Sequence, residues 1–62
     1  MNESIVNRVK AAGSGNARML KEDHAYAIQI RVDGQWQTVT KGLTHDMAEQ
    51  ILKEGSNKLL FG

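Results

Sequence analysis

Histidine, serine and acidic side chains are the ones in this chain that could perform acid–base, nucleophilic or metal chemistry. His45 and Glu49 stand four residues apart, which brings both to one face of a helix, but no third ligand follows at a metal-binding spacing. The serines lie beside glycines or near a chain end, with no base at a fixed spacing that could activate them. We therefore expect no catalytic residue, no metal and no cofactor, and a protein that is not an enzyme.

Length and composition limit the kind of protein further. A chain of 62 residues with a net charge of +1 predicts one small domain spanning residues 1–62, which leaves no room for a pocket that holds a small-molecule substrate. The absence of cysteine suits a reducing compartment, and the scarcity of aromatic residues predicts a thin core that a homodimer could extend. No apolar run approaches the ~20 residues that span a bilayer, so we expect a cytoplasmic protein without a membrane partner.

A β-hairpin is the clearest structural pattern in the sequence. In YAIQIRVDGQWQTVTK, residues 26 to 41, apolar and polar residues alternate on both sides of Asp33-Gly34. An Asp-Gly pair favours a type I′ turn, because both central residues of that turn take positive φ angles. The pattern predicts a hairpin over residues 24–41.

Helical patterns flank the hairpin. NESIVNRVKAAG predicts a short N-terminal helix, and the glycines after it predict a polar connector, so that residues 1–22 hold a helix and a connector. GLTHDMAEQILKEG predicts an amphipathic helix over residues 44–54 with Thr44 as its N-cap. The tail KLLFG could add a third short strand at the C-terminus. These elements predict an α+β fold, in which a short N-terminal helix and a β-hairpin pack on one amphipathic helix.

The orientation of Trp36 decides which surface could bind a partner. A two-residue loop pairs Ile28 with Val39 and Ala27 with Thr40, and its core side holds Tyr26, Ile28, Ile30, Val32 and Val39. The other face then carries Gln29, Arg31, Trp36, Thr38 and Thr40. A three-residue loop with a bulge would instead place Trp36 in the core, and the first helix or a second copy could also bury it. Both orientations remain open from the sequence.

Residues 25–52 resemble the arm-DNA-binding domains of phage tyrosine recombinases. The resemblance rests on Asp33-Gly34, the strand TVTK, Gly42-Leu43-Thr44 and Ala48-Glu49. The chain departs from that family at Leu43, where an aromatic residue is expected, and in a helix-like segment where the family has a third, preceding strand. In that family the sheet face away from the helix enters the major groove. The resemblance implies a binding face of Gln29, Arg31, Trp36, Thr38 and Thr40, with Lys41 at its edge.

Two functions fit these patterns. The first is a small accessory or regulatory protein of phage or plasmid type that binds nucleic acid through this hairpin face. Arg31 and Trp36 would contact bases or backbone, and the remaining phosphate contacts would come from Arg8, Lys10, Arg18 and Lys21. The second is a protein–protein module, either a homodimer or an inhibitor of a host protein, that uses the same face or a strand edge. The near-zero net charge favours the second function, and the resemblance favours the first.

Overall fold

The structure, a computed structural model, describes residues 2–55, and the side chains of residues 3–55. Its elements in chain order are α1 Asn2–Ala12, β1 Ala17–Glu22, β2 Ala25–Val32, β3 Gln35–Leu43 and α2 His45–Glu54. The predicted α+β class and both predicted helices are confirmed. The tail KLLFG, predicted as an optional third strand, lies outside the described residues.

The turn between β2 and β3 is the two-residue loop that the Asp-Gly pair predicts. Asp33 and Gly34 have φ angles of 52° and 80°, and Val32 pairs with Gln35 on either side of them. Positive φ at both central residues is the requirement of a type I′ turn, and glycine meets it without steric cost. The pairing that follows places Arg31 opposite Trp36, as the ideal register predicts.

The segment before the hairpin contains a strand, β1, where the sequence predicted only a polar connector. β1 pairs antiparallel with β2 over six consecutive positions, and the sheet order is β1-β2-β3. Its sequence, ARMLKE, holds strong helix formers and no β-branched residue, so local propensity gave no strand signal. The alternation of buried Ala17 and Met19 with Arg18 and Leu20 is what fits a pleated strand.

The second half of β3 departs from the ideal register. Ile28 pairs with Thr40 and Tyr26 with Leu43, so the predicted pairs of Ile28 with Val39 and of Ala27 with Thr40 were wrong. Two irregularities each add a residue to β3, as β-bulges do. Gly42 lies between the paired residues Thr40 and Leu43, and its φ of 77° is a backbone conformation that glycine adopts readily.

The core lies between the sheet and the two helices, which pack on the same sheet face. Its fully buried large side chains are Val9 from α1, Met19 and Ile28 from the sheet, and Ile51 and Leu52 from α2. Val32, predicted on the core side, lies next to the Asp33-Gly34 turn and is 37% exposed. Within residues 2–55, no helix covers the opposite sheet face, which we call the open face.

Candidate binding face

Trp36 lies on the open face, half-buried by arginine side chains rather than by the core. The Cζ of Arg18 stands 4.2 Å from the centroid of the indole ring, and that of Arg31 stands 5.6 Å away. Both distances fall within the ~6 Å over which a guanidinium is attracted to an aromatic face. Arg31 lies directly across from Trp36, whereas Arg18 reaches the ring from the far strand. We call Arg18, Arg31 and Trp36 the arginine–tryptophan cluster.

Hydrogen bonds cross all three strands beside this cluster. Nε of Arg18 donates to Oε1 of Gln29 at 2.8 Å, and Nε2 of Gln29 donates to Oγ1 of Thr38 at 3.1 Å. The register makes this row possible, because Gln29 pairs with Arg18 on one side and with Thr38 on the other. The row fixes the orientation of the Gln29 amide and of the Arg18 side chain.

Asn16 holds the side chain of Arg31 in place, and the sequence did not predict Asn16 as a site residue. Its Oδ1 accepts from Nε and Nη2 of Arg31 at 3.2 and 2.8 Å, while its Nδ2 donates to the carbonyl oxygen of Ala12 at 2.8 Å. The backbone nitrogen of Arg31 also donates to the carbonyl oxygen of Asn16 at 2.8 Å. Asn16 therefore joins the end of α1 to the open face. The sequence shows only an asparagine after a glycine-rich turn, and the fifteen-residue separation from Arg31 hides the contact.

The two arginines of the cluster keep positive charge and hydrogen-bond donors available. Neither forms an ion pair with a carboxylate of residues 3–55, where the only pairs are on α2. A guanidinium has five N–H donors, and Arg18 uses only its Nε within the described residues. Its terminal nitrogens can therefore bind an acceptor from another molecule.

Charge is distributed unequally between the sheet and the helices. The strands carry Arg18, Lys21, Arg31 and Lys41 against Glu22, the turns add Asp23 and Asp33, and the helices carry Arg8, Lys10 and Lys53 against Glu3, Asp46, Glu49 and Glu54. The strands alone have three positive charges in excess, the two turn aspartates reduce this excess to one, and the helices have one negative charge in excess. An anionic partner is therefore attracted to the strands more than to the turns or the helices.

The remaining predicted site residues divide into two groups. Thr40 and Lys41 line a cleft of about 400 Å³ together with Thr38 and Glu22, next to the hydrogen-bonded row. The irregular register pairs Thr40 with Ile28 instead of with Ala27, so its predicted partner was wrong. Arg8, Lys10 and Lys21 do not join the cluster, since the first two are exposed on α1, on the other side of the sheet, and Lys21 pairs with Tyr26.

His45 takes part in local contacts at the start of α2. Its Nδ1 lies 3.7 Å from Oδ1 of Asp46 and 3.8 Å from Oε2 of Glu49, and its ring meets that of Tyr26 edge-on at 5.2 Å. Among the described residues, no three histidine, cysteine or acidic side chains come together as metal ligands. The structure thus ties His45 to the packing between α2 and the sheet.

The geometry defines a small α+β protein with one open sheet face that carries two arginines and a tryptophan. No helix in the described part of the chain is long and apolar enough to cross a lipid bilayer. Comparisons with protein-family models, with curated proteins and with solved structures found no match to this chain.

Proposed function

We propose that this protein binds nucleic acid through the open face of its sheet. The observation that carries the proposal is the arginine–tryptophan cluster, in which two guanidinium groups without a carboxylate partner in residues 3–55 are held beside one indole. A guanidinium presents a fork of donors that matches two phosphate oxygens, or the O6 and N7 atoms of guanine.

The polar contacts around the cluster support the proposal because they hold it in one arrangement. Asn16 holds Arg31, and Gln29 holds Arg18, so both side chains are ordered before a partner arrives. Ordering a long side chain costs about 0.5–1.5 kcal/mol on binding, and here that cost is already met within the fold. Gln29 also has the amide chemistry that pairs with adenine in the major groove.

The order of the elements adds further support. β1 supplies a third strand before the hairpin, and α2 follows β3 directly, which is the order that the resemblance to arm-DNA-binding domains implies. We propose, on the same resemblance, that the open face lies in the major groove, as strands of other β-sheet readers do. The protein would then act as an accessory or regulatory DNA-binding protein of the phage or plasmid type.

Only a few cations on this face can reach the phosphate backbone of a nucleic acid, so we expect the binding affinity to depend only modestly on salt concentration. With Arg18, Arg31 and Lys41 each neutralising one phosphate, the slope of log K against log salt is about −2 to −3. We expect weak but measurable binding at low salt, followed as the anisotropy of a fluorescent duplex DNA titrated with protein. The absence of any binding at about 50 mM salt would contradict the proposal.

A pair of matched variants locates the binding surface. Arg31→Ala and Arg8→Ala remove the same charge, one from the open face and one from α1 on the other side of the sheet. We expect Arg31→Ala to weaken DNA binding about ten-fold or more and to reduce the magnitude of the salt slope by about one. Arg8→Ala should change the affinity less than about two-fold. Equal losses in the two variants would mean that DNA contacts the protein elsewhere.

A protein partner is the alternative, since tryptophan and arginine are also the residues most enriched at interface hot spots. The half-buried indole flanked by two cations suits an acidic protein surface as well as DNA. Pull-downs from host lysate with the wild type and with Trp36→Ala separate the two functions. A host protein lost on substitution, together with no DNA binding, would favour the alternative.

A further inference from the structure

The two outer strands of the sheet differ in how readily they could accept another strand. β1 pairs with β2 in a regular register over all six of its residues, from Ala17 to Glu22. β3 carries two irregularities, which twist an edge and displace its backbone groups. Within the described residues, the far edge of β1 has no neighbouring strand. β1 is therefore the edge that can extend the sheet.

The side chains that β1 places on the open face are arranged symmetrically about Leu20. Arg18, Leu20 and Glu22 alternate with the buried Ala17 and Met19, and therefore lie on the open face. A cation stands two residues before Leu20 and an anion stands two residues after it. An antiparallel copy of this strand presents the same three residues in the reverse order.

We propose that two copies of this chain pair through their β1 edges, antiparallel, with Leu20 opposite Leu20 of the second copy. This register places Arg18 opposite Glu22 of the second copy, and Glu22 opposite its Arg18. Opposite charges directly across an antiparallel pair are stabilising, and like charges are destabilising. The two sheets join into one six-stranded sheet whose open face is continuous across a two-fold axis.

Neighbouring registers lack this complementarity. A shift by one residue would turn the open face of one copy towards the helical side of the other. A shift that centres the pairing on Met19 places Arg18 opposite Leu20, and one centred on Lys21 places two lysines opposite each other. The register centred on Leu20 is the one that forms two charge pairs.

The dimer would be weak and dependent on concentration. One pair of six-residue strands buries less than the roughly 1,000 Å² that stable interfaces require, so an equilibrium between monomer and dimer is expected. Pairing requires Arg18 to exchange its contacts with Trp36 and Gln29, which lie on the inner side of β1, for Glu22 of the second copy, and this cost further weakens the dimer. The proposal does not depend on nucleic-acid binding.

Reversing the charge of Arg18 or of Glu22 tests the proposed dimer. Arg18→Glu makes both cross-strand pairs carboxylate against carboxylate, and Glu22→Arg makes both guanidinium against guanidinium. Each variant alone should therefore dimerise at least about ten-fold more weakly than the wild type. An equal mixture of the two variants forms two opposite-charge pairs and should recover the dimer. Sedimentation velocity over about 10 µM to 1 mM protein measures all three samples, with Arg8→Glu as a control that makes the same charge change on α1.

Recovery in the mixture distinguishes pairing from damage to the fold, because a misfolded variant is not repaired by a second variant. Backbone amide shifts give an independent measurement, and those of β1 should move with wild-type protein concentration while those of β3 stay fixed. The proposal is overturned if the wild type remains monomeric throughout, if the mixture dimerises no better than either variant, or if the concentration-dependent shifts lie on β3 or the helices.

Discussion

Replacement of Trp36 by alanine measures how much the single tryptophan contributes to the free energy of unfolding. The indole contacts two guanidinium groups on the open face, at 4.2 and 5.6 Å from Cζ to the ring centroid. Each such contact at a partly exposed site is worth about 0.5–1 kcal/mol, so the free energy of unfolding should fall by about 1–2 kcal/mol. The hydrogen bonds that hold Arg18 and Arg31 to Gln29 and Asn16 are independent of the ring.

A core substitution provides the reference for this value. Ile28 is fully buried beneath the helices, and Ile28→Ala should cost about 2–5 kcal/mol. Urea unfolding followed by far-ultraviolet circular dichroism measures both variants without relying on tryptophan emission. If Trp36→Ala costs as much as Ile28→Ala, the indole belongs to the core and the open face loses its central residue.

Quenching of tryptophan emission tests the same geometry in the unaltered protein. Because two cations stand beside the ring, iodide should quench Trp36 more strongly than caesium does, and the difference should shrink as salt screens the arginines. Arg18→Ala removes the nearer cation and should reduce the difference at low salt. Equal quenching by the two ions in the wild type would show that the guanidinium groups are not beside the ring.

Three further substitutions test how the supporting elements are built. A Cβ added at Gly55 would stand 2.9 Å from Cβ of the fully buried Val9. Gly55→Ala should therefore lower the free energy of unfolding by about 1–3 kcal/mol. An unchanged urea midpoint would refute this close packing. Thr44→Ala removes the hydroxyl that accepts from the backbone nitrogen of Met47 and should cost about 1 kcal/mol, while Thr44→Ser should restore most of it. Gly42→Ala places its methyl group in open space, but the φ of 77° is unfavourable for alanine, so the free energy of unfolding should fall by about 1–2 kcal/mol through backbone strain alone. An unchanged free energy of unfolding would mean that the backbone at this bulge relaxes.

Much of the candidate binding face could be predicted from the sequence because most of its residues lie in one hairpin. The Asp33-Gly34 turn fixes the pairing of the residues beside it, and the side-chain alternation of a strand then places Arg31 and Trp36 together. The prediction failed further from the turn, where two irregularities pair Thr40 with Ile28 and Leu43 with Tyr26. These irregularities belong to the pairing of β3 with β2, and Gly42 alone does not reveal them.

The amino-acid sequence by itself determined the turn, the two helices and the pairing of Arg31 with Trp36, because each depends on residues close together in the chain. The tertiary structure decided that ARMLKE is a strand, since six helix-forming residues become extended only when the edge of β2 offers them hydrogen bonds. That pairing brings Arg18 over the indole and Asn16 into hydrogen-bonding distance of the guanidinium of Arg31. Residues so far apart in the chain come into contact through strand pairing, and local secondary-structure propensity carries no information about which strands pair.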